Sequence, residues 1–324
     1  METLERGRRM NRRQWLAAGA AAAGAACARR RSDKDWGRKE PVFVLKAPRY
    51  SSELAAGIRS ALAECGISFR GKRVLLKPNL VEFSRATAIN THPLFVAAVL
   101  ESLLQLGAAE VRIGEGPGHR RDTWTLAEEA GYFKAIPDFE KRFVDLNRDE
   151  VAAAGELGGF GPLWTPRSVL AADCIVSLPK MKTHHWAGVT LSMKNLFGIV
   201  PGSLYGWPKN VLHHYGIEQS IVKLAETFGR KTVALVDGII GMEGNGPIQG
   251  KPRAAGVIVA GANLAAVDAT CCRLMGIDPE RVRFLEMARH LGPAGERWIQ
   301  QRGERPESLR QDFELMPMWK HLRA

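Results

Sequence analysis

Apolar runs and amphipathic stretches alternate along the chain, and the alternation predicts strands and helices in turn. Apolar runs predict strands over residues 41–47, 73–77, 111–113, 143–146, 174–178, 232–236 and 256–260. Apolar residues at helical spacing predict helices over residues 51–65, 93–106, 123–130 and 264–275. Several of the strands are apolar throughout, which is typical of strands buried on both faces. The sequence therefore predicts the α/β class, with a mainly parallel twisted sheet flanked by helices.

Long loops rich in glycine, proline and tryptophan interrupt this pattern at residues 155–166 and 201–208. Long loops in a compact domain tend to carry function. The alternating pattern predicts one α/β domain over residues 41–290, preceded by a polar linker over residues 29–40. A polar C-terminal extension is predicted over residues 291–324, in which residues 313–319 are expected to pack back onto the domain.

The first 28 residues have the features of an export signal. Arg12 and Arg13 form a twin-arginine pair, and the Ala/Gly-rich run that follows is too short and too weakly apolar for a membrane span. We expect a signal peptide over residues 1–28 that is recognised by the twin-arginine export machinery. The mature chain would then be periplasmic or extracellular, without a transmembrane anchor. Two alternatives stay open, namely lipid anchoring at Cys27 and a plain basic tail.

The formal net charge of the whole chain is +12. Residues 1–28 hold five arginines against Glu2 and Glu5, so +9 belongs to the rest. A surplus of this size suits a small anionic ligand as well as nucleic acid. No aromatic residues interleave with a basic stripe, and no helix-turn-helix or zinc-finger spacing occurs, so we expect no nucleic-acid partner.

Four cysteines lie beyond the predicted signal peptide, and no C-x-x-C motif connects them. The sequence therefore predicts no iron–sulfur cluster and no zinc ribbon. Cys65, Cys174, Cys271 and Cys272 all fall in apolar stretches, which indicates a role in core packing.

Basic and other polar residues are most concentrated directly after the strand predicted over residues 174–178. The polar residues that follow it within sixteen positions include Lys180, Lys182, Thr183, His184, Thr190, Lys194 and Asn195. Ammonium groups repel one another, so crowding them beside a buried strand is costly unless an anion or the protein's own carboxylates lie among them. We expect Lys180, Lys182 and His184 to be catalytic, and each lysine could instead belong to a structural ion pair.

Polar clusters also follow other predicted strands, and ligands bind at the carboxyl edge of open α/β sheets. The residues expected to bind substrate there are Lys77, Asn79, Thr190, Lys194, Asn195, Gly116, Gly118, Gly244 and Asn245. The glycine loop at residues 114–118 could present backbone N–H groups to a phosphate, or it could be a tight turn without a ligand.

Asp237 and Glu243 supply oxygen ligands that suit a divalent cation such as Mg²⁺, Mn²⁺ or Ca²⁺. Asp268 interrupts an apolar helix and should need a buried partner, either one of the lysines or a purely structural one. The pair His213-His214 is interpreted as structural.

Taken together, these motifs resemble the domain of unknown function 362 family (DUF362). The matching stretches are Lys77-Pro78-Asn79, Thr91-His92-Pro93, residues 114–118, residues 179–184, residues 193–198, Asp237-Gly238, residues 243–247 and residues 263–276. The resemblance implies no established reaction. Some relatives append ferredoxin-like cysteine clusters, which this chain lacks, so an iron–sulfur role is not carried over.

Two functions fit the sequence. The first is an exported enzyme that binds a small anionic substrate, a carboxylate or a phosphate, with or without a divalent metal. Lysines would hold the anion in that case, and His184 would transfer protons. The alternative is a non-catalytic ligand-binding or redox-accessory protein that uses the same pocket.

Overall fold

The computed structural model describes residues 36–324. The predicted signal peptide with its twin arginines, the lipid-anchoring alternative at Cys27 and most of the predicted linker lie outside these residues. No helix formed by residues 36–324 has the length and apolar character needed to cross a membrane.

Thirteen strands occur in the described part of the chain. They are β1 (Glu40–Lys46), β2 (Arg73–Pro78), β3 (Glu110–Glu115), β4 (Phe143–Asp145), β5 (Val151–Glu156), β6 (Pro162–Pro166), β7 (Cys174–Leu178), β8 (Lys180–His184), β9 (Gly188–Thr190), β10 (Thr232–Glu243), β11 (Lys251–Arg253), β12 (Val257–Gly261) and β13 (Ile299–Gly303).

The α-helices of the same residues surround these strands. They are α1 (Leu54–Glu64), α2 (Pro93–Gln105), α3 (Thr123–Glu129), α4 (Tyr132–Ala135), α5 (Phe139–Arg142), α6 (Arg167–Ala171), α7 (Ser192–Asn195), α8 (Gly202–Tyr205), α9 (Asn210–Tyr215), α10 (Ile217–Phe228), α11 (Leu264–Leu274), α12 (Arg283–Met287) and α13 (Pro306–Leu309).

The main sheet has the strand order β13-β1-β12-β10-β7-β2-β3-β4. Strands β10, β7, β2, β3 and β4 are parallel neighbours, and β13 is parallel to β1. Strand β12 runs antiparallel to β1 and to β10. The structure confirms the predicted α/β class with a mostly parallel sheet, and β2, β3, β7 and β10 point the same way, as the predicted convergence requires.

The sheet separates two apolar cores because successive strand residues face opposite sides. Val74 and Leu76 of β2 pack in one core with Ile58 of α1 and Val99 of α2, whereas Leu75 packs in the other with Val267 of α11. All of these side chains are essentially inaccessible to solvent. Helices therefore cover both faces, which explains why the strands are apolar throughout.

The structure extends three of the sequence predictions. Strand β10 runs to Glu243 rather than ending at residue 236, so Asp237 lies within a strand. The loop predicted over residues 155–166 contains the end of β5 and all of its antiparallel partner β6, and the one predicted over residues 201–208 contains α8. Residues 291–324 contribute the edge strand β13, and Phe313 is fully buried.

Candidate functional site

Strand β8 carries the basic motif, and all five of its side chains are buried. Because side chains alternate along a strand, Lys180, Lys182 and His184 share one face. Strand β8 pairs in parallel with β10, which places Lys180 opposite Asp237 and Lys182 opposite Met242. This register separates the two lysines, because Lys180 meets a carboxylate and Lys182 does not.

A cavity of about 200 Å³, open to solvent at its mouth, lies beside Lys182 and His184. Four lysines line it, together with four histidines and a single acidic residue, Glu115. We call it the lysine cavity. The residues that carry its chemistry are Lys77, Asn79, Glu115, His119, Lys182, His184, His185, Thr190, Lys194, Asn195, Lys209 and His213.

Lys77 and Glu115 form a buried ion pair at the carboxyl ends of β2 and β3. The Nζ of Lys77 donates to Glu115 Oε2 at 2.6 Å and to Asn195 Oδ1 at 3.3 Å. Burial lowers the pKa of Lys77, and the attraction of Glu115 acts in the opposite direction. A Cβ at Gly198 would lie 2.1 Å from Glu115 Oε1 and 2.3 Å from Lys77 Cε, so only glycine permits this packing.

Lys182 and Lys209 are buried without an ion-pair partner among the described residues. The Nζ of Lys182 donates to the carbonyl oxygens of Ile89 at 2.8 Å and Pro247 at 3.2 Å. The Nζ of Lys209 donates to the carbonyl oxygens of Gly116 and Phe197 at 2.7 and 2.6 Å. Carbonyl dipoles stabilise these ammonium groups only in part, and burial lowers the pKa of Lys182 well below its ordinary range and that of Lys209 to about 7.

Lys194 projects from the short helix α7 and is half-buried. Its Nζ lies 3.9 Å from the centre of the Phe197 ring and makes no hydrogen bond or ion pair with any residue between 36 and 324. Burial, and then repulsion by Lys77, lower the pKa of Lys194 to about 8. Lys194 is thus the one lysine of the cavity that is both accessible and without a polar partner in the described chain.

His184 is held as a neutral ring with a defined tautomer. Its Nδ1 accepts hydrogen bonds from the backbone N–H groups of Trp186 at 3.0 Å and Ala187 at 3.1 Å. An Nδ1 that accepts carries no proton, so in the neutral ring the proton lies on Nε2. Burial, and then the charge of Lys194, lower the pKa of His184 well below its ordinary value. The ring therefore offers the cavity a hydrogen-bond donor rather than a base.

His185 and His213 have the opposite orientation. The Nδ1 of His185 lies 2.8 Å from the carbonyl oxygen of Gly246, and that of His213 lies 3.2 Å from the carbonyl oxygen of Lys209. A carbonyl oxygen can only accept, so Nδ1 carries a proton in both rings, and in the neutral form of each ring Nε2 is left as an acceptor. The cavity wall thus combines one histidine donor with two histidine acceptors.

Two buried polar atoms in the cavity wall lack a hydrogen-bond partner. They are Asn79 Oδ1 and Thr190 Oγ1, in residues that are 8% and 4% exposed. Unsatisfied buried polar atoms cost free energy, and native structures contain few of them. A polar ligand bound in this cavity would provide hydrogen-bond partners for both atoms.

Asp268 of α11 fixes the helix that carries Lys194 and Asn195. Its Oδ1 accepts from the backbone N–H of Ser192 at 2.7 Å, and its Oδ2 accepts from that of Met193 at 3.1 Å. Burial raises the pKa of Asp268 to about 7. The buried partner expected from the sequence is therefore the N-terminus of α7, not a lysine.

Lys180 and Asp237 lie outside the lysine cavity, contrary to the prediction that they act there. Lys180 Nζ lies 2.5 Å from Asp237 Oδ2 and also donates to Tyr50 Oη and to the carbonyl oxygen of Ile240. Asp237 further accepts from Tyr50 Oη at 2.9 Å and from the backbone N–H of His92 at 2.9 Å. Each group has its full set of partners, so this network supports the structure around β8 and β10.

Glu243, Gly244 and Asn245 are also placed elsewhere. Glu243 accepts from the backbone N–H of Glu314 and lies 3.7 Å from Arg253, and the Asn245 amide bonds Gln249. Asp237 and Glu243 are six positions apart on one strand, a separation of roughly 20 Å at 3.3 Å per residue. They do not fit one divalent cation, and nowhere between residues 36 and 324 do three or more His, Cys, Asp or Glu side chains form a group that could hold a metal.

The glycine loop after β3 forms part of the wall, but its first N–H groups are already used. The Gly116 N–H donates to Glu115 Oε1 at 2.9 Å, and its carbonyl oxygen accepts from Lys209. A Cβ at Gly116 would lie 2.9 Å from both Asn147 Oδ1 and the carbonyl oxygen of Gly198, which explains the glycine. Gly118 lines the cavity with open space around it.

The structure therefore brings together two of the three residues predicted to be catalytic, Lys182 and His184, with most of those predicted to bind substrate: Lys77, Asn79, Gly116, Gly118, Thr190, Lys194 and Asn195. Sequence reasoning missed Lys209 and assigned His213 a structural role. Their only sequence signal was their position after the proline-rich loop at residues 201–208.

The comparisons with known proteins give one family and few relatives. Residues 74–273 match the family model described as "Domain of unknown function (DUF362)". A thylakoid-associated protein of Synechocystis sp. is 29% identical over 263 residues, which cover 78% of this chain and 79% of that protein.

Two solved structures show weaker likeness. The lactate racemase apoprotein of Thermoanaerobacterium thermosaccharolyticum aligns with a TM-score of 0.46 at 13% identity, over 74% of this chain and 57% of its own. A Thermotoga maritima protein aligns with a TM-score of 0.37 at 15% identity, over 76% of this chain and 60% of its own.

Proposed function

This chain belongs to the DUF362 family, and from that starting point we propose that its lysine cavity binds a small carboxylate or phosphate and performs proton-transfer chemistry on it. The proposal rests on the unbalanced positive charge in the wall of the lysine cavity. Lys182, Lys194 and Lys209 have no carboxylate partner among the described residues, while the one acidic residue of the cavity is paired with Lys77. Three crowded ammonium groups with lowered pKa values gain free energy when an anion enters, because the anion relieves both their desolvation and their mutual repulsion.

The polar wall supports the same ligand class. The Nε2–H of His184 can donate to an anionic oxygen, and the Thr190 hydroxyl can do so as well. The Asn79 amide can meet either a donor or an acceptor on the ligand, since its two ends differ in hydrogen-bonding character. Bound anion would thus satisfy the groups that the protein leaves unpaired.

Two groups supply the chemistry in this proposal. Lys194 is accessible, and with a pKa of about 8 a useful fraction of it is neutral near physiological pH, so it can accept a proton from the ligand. The neutral His184 ring then donates a hydrogen bond to the oxygen on which negative charge develops. A base and a fixed donor facing one cavity favour proton abstraction next to a carbonyl or carboxylate.

A non-catalytic ligand-binding protein is the second candidate. The unpaired atoms of Asn79 and Thr190 favour it, because they call for a ligand but not for a reaction. Nothing in the wall of the lysine cavity provides a Ser or Cys nucleophile. The two candidates share their binding residues and differ only in what Lys194 and His184 do.

Calorimetric titration with inorganic phosphate, acetate and malonate tests the binding proposal. Lys182→Met and Lys209→Met each remove one ammonium group. We expect each substitution to weaken anion binding at least about tenfold, which corresponds to a loss of roughly 1.4 kcal/mol in binding free energy. Lys231→Met is the matched control, because Lys231 also donates to backbone carbonyls but lies outside the cavity. Equal affinities in all four proteins, or no binding in any, would refute it.

Incubation with a pool of small carboxylates and phosphates then separates enzyme from carrier. An enzyme consumes a compound that the wild-type protein binds, and His184→Gln should still bind this compound and lose consumption. Lys194→Met should bind it more weakly, because one of the three ammonium groups is gone, and should show no consumption even at a saturating concentration. A carrier binds the compound but does not convert it, in the wild-type protein and in both variants.

We further propose that the protein is exported through its twin-arginine segment. The relative from Synechocystis sp. is described as thylakoid-associated, which is compatible with a location outside the cytoplasm or at a membrane.

A further inference from the structure

A second cavity of about 510 Å³ adjoins the lysine cavity. The two share four wall residues, namely His185, Trp186, Pro247 and Ile248. Because they share these side chains, the two cavities meet along one wall. Beyond this boundary the second cavity is lined by Met316 and Met318 from the C-terminal segment, and by the polar residues Asn245 and Gln249. We call the surface formed by Trp186, Pro247, Ile248, Met316 and Met318 the apolar groove.

The apolar groove exposes large hydrophobic side chains to solvent. Trp186 is 53% exposed and Met318 is 58% exposed. Contiguous exposed apolar surface marks an interaction site, and here it continues directly from a strongly charged one. Methionine side chains are flexible and polarizable, so they adapt to apolar groups of different shape.

The groove has a defined shape because its walls are anchored on both sides. The Trp186 ring contacts the rings of His185 and His213 edge to face, at centroid distances of 4.6 and 5.1 Å. Opposite it, Trp319 Nε1 donates to the carbonyl oxygen of His185 at 3.0 Å, which ties the C-terminal segment to the end of β8. The exposed aromatic ring is therefore held in place at the junction of the two cavities.

We propose that the ligand of this protein is an amphiphilic anion, with a carboxylate or phosphate head in the lysine cavity and an apolar chain or ring on the apolar groove. This inference rests on the proposed function, since it takes the anionic head from there. The apolar groove would bind the second, apolar half of the ligand. A small polar anion such as acetate would occupy the head site and leave the exposed groove uncovered.

Titration with straight-chain carboxylates of two to ten carbons, below their micelle concentrations, tests this inference. We expect affinity to rise about two- to fourfold per methylene until the groove is filled, the range set by partial to full burial of each group. Met316→Ala and Met318→Ala, which line the second cavity and not the lysine cavity, should flatten this dependence on chain length and leave the affinity for acetate within about twofold of wild type.

Two controls exclude unspecific partitioning. Trp164→Ala removes an exposed tryptophan, 41% accessible, that lines neither cavity, and it should keep the wild-type dependence on chain length. Lys182→Met should weaken every member of the series, because the head group anchors the chain.

The outcomes separate this inference from the proposed function. If acetate and decanoate bind equally, or if the groove variants keep the wild-type dependence, the apolar groove is no part of the ligand site and the inference is wrong. If no anion of any length binds, the proposed function fails and the inference fails with it.

Discussion

The Nζ of Lys77 lies 2.6 Å from Oε2 of Glu115, and this contact occupies the single acidic side chain in the wall of the lysine cavity. Glu115 is further fixed by the backbone N–H groups of Leu80 and Gly116. Its charge is therefore committed to Lys77, and Lys182, Lys194 and Lys209 are left to an external anion. The pair determines both the stability of this sheet edge and the charge of the cavity.

Glu115→Gln should destabilise the protein strongly. The substitution keeps the size of the side chain but leaves the buried Lys77 ammonium without its counter-charge, and breaking a buried pair on one side costs about 3–5 kcal/mol. Urea denaturation measures the change in the free energy of unfolding. Asp173→Asn breaks the exposed Arg73–Asp173 pair and should change it far less. A Glu115→Gln protein as stable as wild type would show that Lys77 is neutral in the fold.

His184 should remain neutral and Nε2-protonated as the pH is lowered from 8 through 6.5, the ordinary pKa of a histidine. Its Nδ1 already accepts two backbone N–H groups, and burial together with Lys194 lowers its pKa. Long-range ¹H–¹⁵N correlation spectra report the protonation of each ring nitrogen, with exposed His321 as the reference in the same sample. Protonation of His184 Nδ1 within this range would contradict the assigned donor role.

The free energy of unfolding should increase with pH between about 7 and 10. The pKa is about 7 for Lys209 and about 8 for Lys194 in the fold, against 10.5 for an ordinary lysine. Below pH 7 the fold carries the full cost of both buried charges. As pH rises through this range the folded state loses protons that the unfolded state keeps, so stability rises. Urea denaturation at pH 6.5, 8 and 9.5 measures the free energy of unfolding. The double variant Lys194→Met, Lys209→Met should lack the increase that comes from these two lysines.

Anion affinity should follow the opposite trend, because the anion needs the protonated lysines. Phosphate or acetate should bind with proton uptake near pH 8, which calorimetry detects as a binding enthalpy that depends on the ionisation enthalpy of the buffer. Affinity that is constant from pH 6.5 to 9.5, without proton uptake, would mean that Lys194 and Lys209 do not contact the ligand.

The sequence predicted the sheet and much of its site because both follow from local pattern. Apolar runs located β2, β3, β7 and β10, and the parallel rule placed Lys77, Asn79 and Gly116 at one edge. The sequence pattern failed to predict residue positions that depend on strand register or on the path of a long loop. Lys180 and Lys182 look equivalent in sequence, yet only the pairing of β8 with β10 shows that Lys180 meets Asp237. Lys209 reaches the cavity through a loop in which it adopts a positive φ of 66°, which no apolar pattern encodes.

Replacing Arg12 and Arg13 with lysine should retain the protein in the cytoplasm. The twin-arginine machinery recognises the arginine pair, and lysine preserves the charge without the guanidinium groups. Cell fractionation with immunodetection measures the distribution, and Arg8→Lys, Arg9→Lys is the matched control because it changes two neighbouring arginines. Unchanged export of the Arg12, Arg13 variant would refute the proposed signal.

Lys194 should be the most reactive lysine of the cavity towards reductive methylation with formaldehyde and cyanoborohydride. Reaction requires a neutral, accessible amine, and Lys194 combines partial exposure with a pKa of about 8, whereas Lys77 and Lys182 are fully buried. Mass spectrometry of peptides should show a labelling rate that rises with a midpoint near pH 8. Exposed Lys141 is the internal reference. Phosphate should slow the labelling of Lys194 and leave that of Lys141 unchanged, because a bound anion covers the Lys194 amine. If Lys194 reacts with the same pH profile as Lys141, and phosphate has no effect, then its amine is an ordinary surface group and the base in the proposed chemistry must be sought elsewhere.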